Sequence, residues 1–259
     1  MPKYDVSASQ GWRSLVTRLR NHISPHVLLV TAHPDDEAFF FGPTLIALLD
    51  DTQRKLHASS PVMHSLCLSV GGAEGLGATR AEELARSLDV FGVNEDNRLI
   101  IDHNELKDNI KTKWDPSLVA DTVEHYVISH NITTILTFDP SGVSSHPNHQ
   151  SLYHGTSKLL SRSSIPPGLR AYALVSVPLS IKYIAIFAPL QAKYDLFVAK
   201  HLNNFQVPIP VFVAGASQWL TIVRAIISHR SQLAWFRWLN MAFSRYLWVN
   251  EWVAIETSE

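Results

Sequence analysis

The sequence predicts an α/β fold built on a mostly parallel sheet, and three observations carry that prediction. Short apolar runs alternate with segments of helical periodicity through the first 160 residues. The first run, Leu28 to Val30, leads straight into His33-Pro34-Asp35-Asp36-Glu37. Two later runs also end in polar loops, Gly71 to Arg80 and Ser141 to His149. In a parallel sheet the loops after the strands share one edge, where ligand chemistry collects. With 259 residues and 46% apolar content, the chain is long enough to bury one large core. Residues 1–259 are therefore read as one domain. Within it, a basic segment, 1–25, comes first, and an apolar, aromatic and basic segment, 205–259, which could face a membrane, closes it.

Each element has its own justification. Trp12 to Arg20 reads as a short basic helix and residues 26–32 as the first strand. Pro43 to Asp50 opens a helix with Leu45, Leu48 and Leu49 inward. Val62 to Val70 is the second strand, ended by Gly71-Gly72. Thr79 to Phe91 is a helix because Leu84, Leu88 and Phe91 recur at helical spacing. Arg98 to Ile101 is a short strand. Asp115-Pro116 is an N-cap and first-turn pair that opens a helix to Ser129. Thr133 to Phe138 is a strand, Asp139 to Gly142 a loop, and Asn148 to Leu160 a helix. Two apolar stretches, Tyr172 to Leu190 and Phe205 to Val223, approach the length of a membrane span. Prolines interrupt both, so they are read as core or membrane-surface segments.

Charge is unevenly placed. The net charge is −1, which gives no sign of a nucleic-acid partner, but residues 1–150 carry −7 and residues 151–259 carry +6. The basic part is also rich in Trp and Phe. Trp235, Phe236, Trp238, Phe243, Tyr246 and Trp248 alternate with Arg230, Arg237 and Arg245. That pattern suits lipid headgroups or a core helix packed on the sheet, and both readings stand. Cys67 is the single cysteine, in an apolar run, and is read as an inert buried thiol. Asn131-Ile132-Thr133 is a formal glycosylation sequon. The opening residues show no signal peptide.

The chemistry lies in the loops. Three consecutive acids beside a histidine suit a divalent metal, because buried carboxylates are costly unless paired or metal-bound. The alternative is a polar turn. On the same edge lie His146 and His149, three residues apart. His33, Asp36 and one of these two make a two-histidine, one-carboxylate set with a place left for water. Such a set is hydrolytic.

The ordered set AHPDDE, GLGATRAEEL and GVSSHPNHQS resembles the zinc-dependent N-acetylglucosamine deacetylases of the PIG-L/LmbE-like family. TFDPSGVSSHPNHQS and HRSQLAWFRWLNMAFSRYLWVN bring it nearest to the family's eukaryotic branch. The resemblance implies a Rossmann-like sheet with helices on both faces. It implies removal of an acetyl group from an N-acetylglucosaminyl-phosphatidylinositol lipid in the second step of anchor synthesis. It places that reaction at the cytoplasmic face of the endoplasmic reticulum membrane. By motif position, His33, Asp36 and His149 resemble ligands of a Zn2+ cofactor, and Asp35 the general base. His146 resembles the residue that steadies the oxyanion and can protonate the amine, and Arg80 a substrate-binding arginine. Arg80 has a second reading, a helix-surface ion pair with Glu83. Glu37 is left to a supporting bond or a helix cap. Eukaryotic members usually begin with a membrane-spanning helix, and the first residues here have no long apolar core. Two other functions are kept open: a soluble deacetylase of a small N-acetylglucosamine conjugate, and a silent glycolipid-binding protein.

Overall fold

The computed structural model describes residues 24–49, 61–72, 75–202 and 210–256. The expected helix over Trp12 to Arg20 lies outside them. Seven strands form the sheet: β1 His26–Thr31, β2 Val62–Cys67, β3 Arg98–Ile100, β4 Thr134–Phe138, β5 Arg170–Leu174, β6 Val211–Val213 and β7 Val249–Ala254. The α-helical segments are α1 Asp36–Phe40, α2 Gly42–Leu49, α3 Gly77–Phe91, α4 Pro116–Ser129, α5 Gly142–Ser145, α6 Pro147–Leu160, α7 Leu179–Lys182, α8 Ala188–Leu202, α9 Ala216–Ser228 and α10 Trp235–Phe243.

Strand order is β3-β2-β1-β4-β5-β7-β6. The first five strands in that order pair parallel, and β7 joins β5 and β6 antiparallel. Succession runs one way from β1 to β3 and the other way from β4 to β5. Right-handed crossovers then place α2 and α3 on one face and α4 and α6 on the other. α4 packs on α6, and α9 packs on α1, α2 and α3. The reversal point lies between β1 and β4, which pair from Val27↔Thr134 to Leu29↔Leu136. A crevice at the carboxyl ends of those strands is where such sheets bind ligands.

Local signals explain the boundaries. Asp115 caps α4 by accepting from the Ser117 backbone N–H at 2.9 Å, with Pro116 in the first turn. α3 ends at Gly92, whose φ of 82° lets its N–H and that of Val93 return to Leu88 O. β1 is buried along almost its whole length, as a strand covered on both faces requires. The α4–α6 contact is close because residue 155 is glycine. A Cβ there would stand 2.3 Å from Val119 Cγ1.

The expected elements between residues 26 and 160 are present, with ends shifted by up to three residues, as where β2 stops at Cys67 and not Val70, and with Asp50 outside the described residues. The C-terminal part differs. Tyr172 to Leu190 divides into the buried strand β5 and the short segments α7, Ala185–Phe187 and the start of α8. The described part of Phe205 to Val223 forms β6 and the first half of α9. β7 was not foreseen. Its Trp252 is fully buried and stacks near Phe41 with ring centroids 5.8 Å apart. No helix among the described residues is long and apolar enough to cross a membrane.

Candidate active site

β1 delivers the first half of the site. After Thr31 the chain turns sharply, and Asp35 takes φ 116° before the five-residue α1. That backbone is uncommon for a residue with a Cβ and costs on the order of 1–3 kcal/mol. Glu37, fully buried, holds it in place. Its carboxylate accepts from the Asp35 backbone N–H at 3.1 Å and from Ser87 Oγ at 2.5 Å, and it pairs with His229 Nε2 at 2.7 Å. Glu37 is thus a support for the loop. α1 presents Asp36, whose Oδ2 accepts from the backbone N–H groups of Ala32 and His33 at 3.0 and 2.9 Å. Oδ1 is left to face His149 Nε2 at 3.1 Å.

β4 delivers the second half. Asp139 accepts from the backbone N–H groups of Ser141, Gly142 and Ser176 and from Ser176 Oγ, tying the loop to the end of β5. Gly142, at φ 59°, has no room for a Cβ, which would sit 2.8 Å from His149 Cβ. Its carbonyl accepts from His149 Nδ1 at 3.1 Å. Phe138 stacks on the His149 ring with centroids 4.0 Å apart and planes 4° from parallel.

His33, His146 and His149 come together, each offering a nitrogen within 4.8 Å of the others. The partners indicate the tautomers. His33 Nε2 has Asn148 Oδ1 at 3.0 Å and Asp108 Oδ1 at 3.3 Å, so it carries the proton and Nδ1 carries the lone pair. His149 Nδ1 donates to Gly142 O, so Nε2 is the nitrogen turned to Asp36 Oδ1. Burial opposes protonation of the ring, but Asp36 raises its pKa, and a bound metal would take the place of the proton on Nε2. Each ring is thus oriented by an acceptor on its far nitrogen, as metal-binding histidines are. With Asp36 Oδ1, these donors fit zinc in kind and number. His146 is the N-cap of α6, and its Nδ1 accepts from the Asn148 N–H at 3.3 Å. The proton then sits on Nε2, 3.9 Å from Asp108 Oδ1.

Electrostatics separate the two neighbouring acids. Burial raises Asp35 above the ordinary carboxylate range, and Asp36 adds to this, against the pull of Arg237. Burial also opposes ionisation of Asp36, but His149, His33 and the His33 N–H outweigh it and hold its carboxyl low. Burial, His33 and His149 push His146 down to about 4, so its imidazole is neutral. Burial raises the Cys67 thiol and leaves it inert.

Sequence reasoning placed His33, Asp35, Asp36, His146 and His149, and all five meet here. Arg80 also arrives, donating to Gly71 O at 2.5 Å, Asp108 Oδ2 at 3.3 Å and Gln232 Oε1. It makes no ion pair with Glu83, whose carboxylate instead accepts from the N–H and Oγ of Ser231. Asp108, Asn148 and Arg237 were missed. Asp108 lies in the loop after β3, and its position on the shared sheet edge was the one available signal. Arg237 was expected beside the headgroup-facing aromatics. It turns inward instead, 2.8 Å from Asp35 Oδ2, with its guanidinium 4.6 Å over the Phe39 ring. Arg245, Tyr246 and Trp248 are likewise buried, Arg245 against Glu251 at 3.0 Å. These four residues have no place in a lipid-facing stripe.

Comparisons agree with the geometry. Residues 28–160 match the family described as PIG-L, GlcNAc-PI de-N-acetylase. The chain is 37% identical over 223 residues to N-acetylglucosaminyl-phosphatidylinositol de-N-acetylase of Bos taurus, covering 86% of this chain and 81% of the relative. It is 32% identical to the probable enzyme of the same name from Schizosaccharomyces pombe, covering 85% and 83%. The fold is similar to that of N,N'-diacetylchitobiose deacetylase from Pyrococcus horikoshii, with a TM-score of 0.60 at 14% identity over 98% and 94% of the two chains. With a family match over residues 28–160, about half of its length, and a relative 37% identical over most of both chains, this chain belongs to the PIG-L family of GlcNAc-PI de-N-acetylases.

Proposed function

We propose that this protein hydrolyses the N-acetyl group of N-acetylglucosaminyl-phosphatidylinositol, releasing acetate and glucosaminyl-phosphatidylinositol in glycosylphosphatidylinositol-anchor synthesis. One observation carries the reading: His33, His149 and the Asp36 carboxylate come together at the turn that also carries Asp35. Zinc held by His33, Asp36 and His149 supplies a Lewis acid that makes the amide carbonyl and a water reactive.

The chain's own groups do the rest. Asp35 accepts the proton of the attacking water. A carboxyl raised above its usual range is the better acceptor near neutral pH. His146 Nε2–H donates to the oxygen that gains charge as the carbonyl becomes tetrahedral. It does so as a neutral ring, since Nδ1 is committed to the Asn148 N–H. A neutral His146 has no extra proton for the departing amine. Asp35, then protonated, hands its proton to the nitrogen, and acetate leaves. Arg80 lies at the rim, where Asp108, Gln232 and Gly71 O hold its guanidinium for the phosphate-bearing part of the substrate.

The reading is tested by acetate release. The purified chain should release acetate from a glucosaminyl-inositol phospholipid bearing the N-acetyl group. A chelator should abolish that release, and zinc should restore it. Release that persists after complete metal removal would remove zinc from the reading.

We place the domain on the cytoplasmic side of the endoplasmic reticulum membrane. The sequon supplies the check, because Asn131 is exposed and accessible to a glycosyltransferase. The chain expressed in cells should carry no glycan there. An Asn131 glycan would put the site in the lumen.

A further inference from the structure

We infer that the outer face of α10, with the adjoining segment Leu179 to Leu190, is a docking surface for an anionic phospholipid bilayer that sets the active site against the membrane. The inference deepens the reading above and rests on it for the lipid nature of the substrate.

The surface holds several large apolar side chains in the open, the composition that marks interaction sites when such residues are contiguous. On α10, Trp235 is 76% exposed and Trp238 53%. On the neighbouring segment, Leu179 is 74% exposed and Phe187 65%. The two parts are continuous. α10 packs against the turn Ala185–Phe187, and Tyr183, Phe236, Leu239, Asn240 and Phe243 line an open groove between them. α10 is nine residues, about 14 Å, so it can lie along an interface but not cross a bilayer.

Helical spacing divides α10. Arg237 and Met241, four residues apart, face the protein, and Trp235, Trp238 and Leu239 face out. Arg237 reaches Asp35 at 2.8 Å. One short helix therefore has the general base on its inner side and bare aromatic rings on its outer side. Whatever covers the outer face is within a helix diameter of the reacting groups, about 10 Å.

Charge selects the occupant. Residues 178–243 contain six Lys or Arg against one Asp and no Glu. Lys193, Arg224 and Arg230 are exposed. Trp rings at headgroup depth, on a part of the chain whose exposed charges, among the described residues, are three cations against Asp195, fit an anionic lipid surface. The proposed substrate fits the same geometry. Its acyl chains stay in the bilayer and its acetamido sugar stands at the surface, so the site must come to the membrane.

The test uses the purified chain and vesicles of phosphatidylcholine, alone or with about 30 mol % phosphatidylinositol. Wild type should float with both and more strongly with the anionic vesicles. The double variant Trp235→Ser/Trp238→Ser should lose at least about tenfold in partitioning, because two large rings no longer enter the interface. Both rings are exposed, so its thermal midpoint should stay unchanged. It should hydrolyse substrate in vesicles more slowly by a similar factor, and a water-soluble, acyl-free analogue at the wild-type rate. Unchanged flotation of the variant would overturn the proposal. So would a wild-type dimer in lipid-free buffer that the variant dissolves, since the face would then belong to a second copy. Equal slowing on both substrates with a lower thermal midpoint would overturn it too, by making the rings part of the fold. If neither substrate yields acetate while the flotation difference stands, the reaction reading fails and the docking surface survives.

Discussion

Asp35→Asn should lower kcat by about 10²–10⁴ while zinc stays bound. The amide cannot accept the water proton, and the side chain keeps its shape. The carboxylate is not placed among the metal ligands. It sits beside them, with Arg237 on Oδ2, and its backbone is pinned through the Glu37 carboxylate. The substitution therefore separates base from ligand. Binding of the acyl-free analogue should change little, so the loss should appear in kcat more than in KM. Metal content by elemental analysis, with kcat on that analogue, makes the check. Near wild-type turnover with metal retained would remove Asp35 as the base.

His149→Ala should do the complementary thing. It removes the nitrogen that faces Asp36 Oδ1 at 3.1 Å, on a ring already oriented by Gly142 O. Loss of a ligand should empty the site of zinc. Activity should fall well beyond the roughly 10- to 100-fold typical when only a ligand's outer partner is removed. The ring also stacks on Phe138 and is buried, so the protein should lose stability, by roughly 1–3 kcal/mol. Thermal unfolding and far-UV circular dichroism distinguish a folded, metal-free protein from an unfolded one. Full zinc occupancy in a folded His149→Ala protein would overturn the ligand assignment.

These two expectations draw on residues that the sequence made legible. Leu28 to Val30 announces a buried strand, and the acids after it stand at the end of that strand. The late pair His146 and His149 follows another strand of the same kind. Parallel strands force such loops to one edge, so a local pattern was enough to bring five side chains together. Short-range signals did the same for α4, where Asp115 and Pro116 mark the first turn.

What lay beyond the sequence was every contact fixed by the packing of distant segments. Arg237 looked like its neighbours Trp235 and Trp238 because all three share one amphipathic helix. Which of them turns inward depends on how α10 is rolled against Phe39 and Asp35, some 200 residues away in sequence. His229 is one of thirteen histidines with no motif around it, yet it meets Glu37 at 2.7 Å because α9 packs on α1. Asp108 sits in a loop without strong local signals and reaches His33 and Arg80 only because β3 runs beside β2. The antiparallel edge of β7 and β6 also escaped, since an alternating run such as VNEWVA does not name its partner. The sequence alone determined the fold class, the order of the early strands and helices and the five side chains gathered at the sheet edge, because periodicity and turn chemistry act over a few residues. Tertiary structure alone decided which charges support those side chains and which aromatic rings stay bare, because such pairings depend on helix rotation and strand neighbourhood across the whole chain.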